Sequence, residues 1–151
     1  MRDVSRVDQE VKTLADRWSL ANRVESAVFD WLLSQYHDVD LGGRVVDYIV
    51  QDGSKQIGFM VKLISFLTVR DLKSMMGQAR QVLKSGSLDE FVLVLVASND
   101  ELLEGIFQAA KKLVPEDGDG SIRILLGKYS PDSSILEHDF VPHYEVFGFG
   151  R

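Results

Sequence analysis

Apolar positions recur with a helical period near the start of the chain. Apolar residues spaced three or four positions apart run from about Leu20 to Tyr36, which predicts a helix with Ser19 as its N-cap. The same spacing predicts an earlier helix over residues 4–17. Both helices would place an apolar stripe on one face, so each is expected to pack against another element.

The pattern changes to strands and turns between residues 38 and 64. Arg44–Gln51 is rich in Val, Ile and Tyr, and Gln56–Ile64 is a second apolar run, so both are predicted strands. The segment Asp52–Lys55 between them has the composition of a hairpin turn. A short strand is also predicted at Asp38–Leu41.

Helices and strands alternate in the rest of the chain. Six consecutive apolar residues, Phe91–Val96, are typical of a strand that is buried on both faces. The predicted helices are Val69–Leu83, with Thr68 as N-cap, and a helix from Ser98 to about Val114, which is followed by a turn from Pro115. The predicted strands after Phe91–Val96 are Ile122–Leu126 and Tyr144–Phe149.

The order of these elements predicts the fold class. The strands Phe91–Val96 and Ile122–Leu126 are connected by a helix, so they are expected to run parallel, whereas the hairpin strands run antiparallel. The sequence therefore predicts an α/β protein with a mixed sheet and helices on both faces.

Composition narrows the class of protein. The chain has 151 residues, of which 45% are hydrophobic and 26% charged, as expected for one globular domain. It contains no apolar run of membrane-spanning length, so no membrane partner is expected. It contains no Cys, which excludes disulfides and thiolate metal sites and favours a cytoplasmic location.

Charge is distributed unevenly along the chain. The net charge of −6 argues against indiscriminate binding to nucleic acid. Residues 44–84, however, carry 7 basic and 3 acidic residues and form the basic part of an acidic chain. This segment is either a surface for phosphate groups or a set of solvated helix faces.

One polar pair stands out in the predicted hairpin. Lys62 is a cation in an otherwise apolar strand, which is costly unless it has a partner or reaches solvent. Strand alternation places Met60 and Lys62 on one face, and the short turn keeps Asp47 on the adjacent strand. Asp47 and Lys62 are then either a cross-strand ion pair or parts of a site.

Asp47, Lys62 and the hydrophobic segment 58–63 resemble the motif of the PD-(D/E)xK nuclease superfamily, to which many restriction enzymes and archaeal Holliday-junction resolvases belong. The family's order of helix, three-strand meander, helix and strand fits residues 19–97. The resemblance implies a restriction-endonuclease-like core, DNA as a partner, and catalytic roles for Asp47, Lys62 and Glu25. It also implies that Asp47 and Glu25 bind Mg²⁺ or Mn²⁺.

Met60 departs from this motif because the family has an acidic metal ligand at that position. Magnesium prefers hard oxygen ligands, and a thioether is soft, so metal binding is expected to be weak. Three functions stay open: DNA binding or processing with weak or lost cleavage, a protein-interaction or scaffolding module on the same fold, and an active nuclease with a relocated carboxylate such as Asp71. The ligand argument favours the first.

Polar residues on the predicted helix after the hairpin are candidate DNA contacts, since family members often carry substrate-contacting residues there. A solvated helix face is the competing interpretation. The candidates are Arg70, Lys73, Gln78, Arg80 and Lys84.

The sequence also predicts an internal organisation and an assembly. An N-terminal helical extension would cover residues 1–18, the nuclease-like core 19–97, and a C-terminal helix with strands 98–151. Trp18 and Trp31 lie in the apolar first helices, and a homodimer interface is predicted there.

Overall fold

The computed structural model describes residues 20–43, 46–64, 69–97, 99–117, 121–129 and 140–149. The predicted helix 4–17, Trp18 and the predicted N-caps Ser19, Thr68 and Ser98 lie outside the described residues.

Three helices and six strands make up the described part of the chain. No helix in these ranges combines the length and the apolar character needed to cross a membrane. The helices are α1, which covers residues 20–35, α2 (Val69–Lys84) and α3 (Asp100–Asp117). The strands are β1 (Asp38–Leu41), β2 (Tyr48–Asp52), β3 (Lys55–Ile64), β4 (Glu90–Ala97), β5 (Ile122–Tyr129) and β6 (Phe140–Phe149).

All six strands form one mixed sheet in the order β1-β2-β3-β4-β5-β6. β3 pairs with β4 and β4 with β5 in parallel, because α2 and α3 carry the chain back to the same end of the sheet. The other three pairings are antiparallel. The predicted α/β class, mixed sheet and parallel pairing of β4 with β5 are confirmed.

The β2–β3 hairpin forms where turn composition predicted it. Asp52 pairs with Lys55 across a two-residue turn, and Gly53 has a φ of 62°. Glycine is favoured there because a left-handed backbone would strain a residue with a Cβ. This turn fixes the register of β2 against β3 and so determines which residues lie opposite each other further along.

Several predicted boundaries are wrong. β2 begins at Tyr48, so Val46 and Asp47 of the predicted strand lie before it, and residues 44 and 45 lie outside the described ranges. α3 continues to Asp117, past the turn that was predicted from Pro115. The side chain of Asn99 provides its N-cap, since Oδ1 accepts the Leu102 N–H at 2.8 Å.

The last strand is also longer than predicted. β6 begins at Phe140, four residues before Tyr144, although it includes Pro142. Pro lacks an N–H, but an edge strand tolerates this because one of its sides has no neighbouring strand to bond. Pairing of Val141 with Lys128 in β5 therefore extends the strand beyond the apolar run.

The core has two parts, which β4 connects. Phe91, Leu93 and Leu95 belong to a cluster that includes buried residues of α2 and α3. Val92 and Val94, at alternate positions, belong to a second cluster that includes buried residues of α1. Alternation along a fully buried strand thus supplies both parts, as predicted from its continuous apolar sequence.

Candidate functional site

The hydrogen bonding between β2 and β3 ends at Asp47. The side chain of this residue makes the last of these hydrogen bonds to β3. The Asp47 N–H donates to the Phe59 carbonyl oxygen at 2.9 Å, as a strand residue would. Its carboxylate Oδ2 then accepts the N–H of Val61 at 2.7 Å. The side chain therefore replaces the backbone acceptor that a longer β2 would have supplied, and it lies against the open edge of β3.

The backbone of Gly42 also contacts Asp47. The Gly42 N–H donates to the Asp47 carbonyl oxygen at 2.8 Å. A Cβ at Gly42 would overlap the Val46 carbonyl, so glycine is what allows the two segments to come this close. Asp47 is thus held through its N–H, its carbonyl and its carboxylate.

Met60 and Lys62 lie on the same face of β3 but in different environments. Met60 is only 6% exposed and packs in the cluster with α2 and α3. Lys62 is exposed. Among the described residues, Lys62 forms no salt bridge with Asp47, so of the two interpretations of this pair the structure does not support a cross-strand ion pair.

Contacts between helix α1 and Tyr48 position Glu25 near Asp47. The Tyr48 hydroxyl donates to the Glu25 carbonyl oxygen at 3.0 Å, and its ring stacks on Phe29 with centroids 5.2 Å apart. Tyr48 directly follows Asp47 in the chain, so the same short segment positions both carboxylates.

Glu25, Asp47 and Lys62 are close enough to affect one another electrostatically. Partial burial raises the pKa of Glu25, the negative charge of Asp47 raises it further, and Lys62 lowers it. Burial, together with nearby carboxylates including Glu25 and Asp47, raises the pKa of Tyr48 to about 12. The Tyr48 hydroxyl therefore keeps its proton, and its role as a donor, throughout the neutral range.

An open cavity of about 850 Å³ joins these groups to α2. Among the described residues, its charged lining residues are Glu25, Asp47 and Lys62. Its uncharged polar lining residues are Gln56, Gln78, Gln81, Ser85 and Ser87. Its apolar side chains are Val46, Ile49, Met60, Val61, Val82 and Leu88.

The predicted α2 residues separate into two groups. Gln78 lines the cavity. The cations Arg70, Lys73, Arg80 and Lys84 are not part of the lining, and three of them, Arg70, Lys73 and Lys84, are exposed. Asp71, the candidate for a relocated carboxylate, is exposed and also lies outside the lining.

Apart from Gln78, sequence reasoning missed the uncharged polar residues of the cavity. Gln81 lies one turn after Gln78, and Gln56 shares a β3 face with Lys62 by alternation, so spacing alone could have indicated both. Ser85 and Ser87 follow α2, and nothing in their local sequence indicated a role.

The cavity offers two carboxylates, Glu25 and Asp47, to a divalent metal. Within the described ranges, His, Asp and Glu side chains form no group of three or more that could enclose an ion. Magnesium, however, is commonly bound through one or two carboxylates together with waters and phosphate oxygens. Glu25 and Asp47 fit that mode, although one oxygen of Asp47 already accepts the Val61 N–H.

Replacing Asp47 should show its structural role. In Asp47→Ala the buried Val61 N–H loses its acceptor, so the free energy of unfolding should fall by about 1–3 kcal/mol. Asp47→Asn retains an acceptor oxygen and should lose less. Urea unfolding with hydrogen exchange of the Val61 amide measures both effects. Unchanged exchange in Asp47→Ala would show that the bond does not hold the strand edge.

Replacing Glu25 should change the pH dependence of stability. A raised pKa means that the folded state holds the proton more tightly, so stability is lost as pH rises from the ordinary pKa of 4.5 through the raised value. Glu25→Gln should therefore melt at a higher temperature than the native chain at neutral pH, and the difference should shrink below that ordinary pKa. Because Asp30 is exposed on the same helix, Asp30→Asn is the matched control and should change the melting temperature little. Equal effects of the two changes would contradict the expectation.

Comparison with known proteins gave no match. No protein-family model, curated protein or solved structure matches the chain. The resemblance to the PD-(D/E)xK nucleases therefore stays a prediction. The residues that line this cavity are what supports it.

Proposed function

We propose that the protein is a nuclease-like DNA-binding protein with a degenerate metal site, in which cleavage is weak or lost. The observation that carries the proposal is the convergence of Glu25, Asp47 and Lys62 on one cavity, beside a buried Met60. These are the groups that the family motif requires, with one ligand replaced.

The order of elements supports a restriction-endonuclease-like core. Helix α1, the antiparallel strands β1, β2 and β3, helix α2 and strand β4 follow the order that the resemblance implies. The two core clusters support a layer of α1 on one face of the sheet and a layer of α2 and α3 on the other.

The charges of the cavity determine how a phosphate would be held. Two carboxylates and one ammonium give a net negative cavity, which repels a phosphate when no further cation is present. A bound Mg²⁺ or Mn²⁺ would supply positive charge and activate water. Glu25 and Asp47 would hold such an ion, and the exposed Lys62 ammonium would contact a phosphate oxygen.

Met60 explains why cleavage would be weak or lost. Its thioether is soft, and the residue is buried, so it supplies no hard oxygen where the family has a carboxylate. Asp71 does not line the cavity, which leaves the alternative of a relocated carboxylate without support from that residue.

A protein-interaction module on the same fold is the second candidate. Leu33 on α1 and Leu41 on β1 are large apolar side chains with exposures of 48% and 77%, and this candidate would place its partner surface there. Trp31, predicted at a homodimer interface, makes an edge contact with Phe140 of its own chain at a centroid distance of 5.5 Å. A cytoplasmic homodimer remains part of the proposal, and sedimentation at increasing concentration tests the assembly.

DNA binding should be salt-dependent and should use the exposed cations of α2. Each phosphate contact contributes a slope of about −0.9 in a plot of log affinity against log salt concentration. The double change Arg70→Gln and Lys84→Gln should therefore weaken binding and reduce the slope by about 1 to 2, measured by fluorescence anisotropy with magnesium present. Lys112→Gln, an exposed lysine outside residues 44–84, is the control. Absence of DNA affinity at low salt would remove the proposed function.

Restoring the missing ligand should restore metal binding. Met60→Glu should bind Mn²⁺ about tenfold or more tightly than the native chain, because a third carboxylate joins Glu25 and Asp47. Met60→Gln is the matched control, because glutamine has the size of glutamate without its charge. Circular dichroism verifies that both variants fold. Titration calorimetry measures the affinity. Equal Mn²⁺ binding by the two variants would show that Glu25 and Asp47 do not form a metal site with this position.

A further inference from the structure

The cavity extends along β3 well beyond its charged groups. Gln56 and Lys62 both line it, and they share a face of β3. They are six positions apart, which corresponds to about 20 Å of strand. Glu25, Asp47 and Lys62 lie towards one end of this length, whereas Gln56 lines the other end, where its N–H donates to the Asp89 carboxylate at 2.8 Å.

The floor of the cavity is apolar and closely packed. Val46, Met60 and Leu88 line it, and each is at most 7% exposed. Between Gln56 and Met60 the strand carries Gly58, where a Cβ would approach Val46 Cγ1 to 3.0 Å and would also overlap Leu88. Glycine at this position lets the two side chains close over the strand, so the floor is a continuous apolar surface.

The rim on α2 is polar but uncharged. Gln78 and Gln81 lie one turn apart on one side of the helix, and both are exposed at the cavity. A glutamine amide presents a donor and an acceptor together, which matches the edge of a nucleobase such as adenine. An uncharged rim suits a neutral base better than it suits a phosphate or a charged peptide.

We propose that this cavity takes a short unpaired stretch of nucleic acid. The bases lie over the apolar floor, their edges bond to Gln78 and Gln81, and the backbone phosphate lies beside Lys62. The inference deepens the proposed function and rests on it, since it specifies which form of nucleic acid the same site binds.

The apolar floor is the reason for preferring unpaired nucleotides. In a duplex the faces of the bases are stacked on one another, so only their edges are accessible. An unstacked base can cover an apolar floor, as bases taken out of a duplex do when they bind between apolar or aromatic side chains. The cavity volume of about 850 Å³ also lies in the range of sites that enclose a ligand.

Three DNA probes test the inference by fluorescence anisotropy in magnesium buffer: a short single strand, the same strand in a blunt duplex, and a duplex with a single-stranded end. The single strand and the single-stranded end should bind about tenfold more tightly than the blunt duplex. Equal affinities for the three probes would overturn the inference while leaving DNA binding, and so the proposed function, in place.

A pair of substitutions tests the α2 rim. The double change Gln78→Leu and Gln81→Leu should weaken single-strand binding about tenfold and leave duplex binding unchanged. Gln35→Leu, an exposed glutamine at the end of α1 outside the cavity lining, should change neither. Single-strand affinity that survives the double change would remove the assigned role of the two amides and overturn the inference.

A readout on the native chain separates the two proposals. Titration with deoxyadenosine monophosphate should shift the side-chain amide resonances of Gln78 and Gln81 in nuclear magnetic resonance spectra. If the DNA probes bind but these resonances do not shift, the inference is overturned and the proposed function stands. If no probe binds and no resonance shifts, both proposals are overturned.

Discussion

The hydrogen bond from the Val61 N–H to the Asp47 carboxylate is the interaction on which the site depends. It lets β2 begin at Tyr48 without leaving a buried amide of β3 unpaired. Because β2 is short, the edge of β3 beyond Met60 opens into a cavity, and no strand of the described residues covers it. The same residue that ends the sheet pairing therefore contributes a carboxylate to the space that this ending creates.

Tyr48 extends this arrangement to α1. Its backbone follows Asp47, its ring stacks on Phe29, and its hydroxyl holds the carbonyl of Glu25. Partial burial and, after it, the nearby charge of Asp47 raise the pKa of Glu25, so keeping this second carboxylate charged has an electrostatic cost. A fold that maintains two nearby carboxylates at such a cost is typical of a functional site, since stability alone would favour a neutral residue there.

The sequence predicted most of the fold because its signals were local. The apolar run of β4, the helical spacing of α1 and the turn at Gly53 each identify an element without knowledge of its neighbours. The boundaries that were wrong depend on partners distant in sequence. Pairing with β5 extended β6 past Pro142, and a side chain in place of a backbone carbonyl shortened β2.

The sequence by itself determined which residue types were available: Asp47, Lys62 and Met60 at the spacing of a nuclease motif, on strands whose alternation fixes their faces. Only the tertiary structure decided that Lys62 is not the ion-pair partner of Asp47, that Met60 is buried, and that α2 supplies Gln81 to the same cavity. Local sequence encodes the period and direction of side chains. Which elements meet, and which groups are removed from water, depends on packing between segments far apart in the chain.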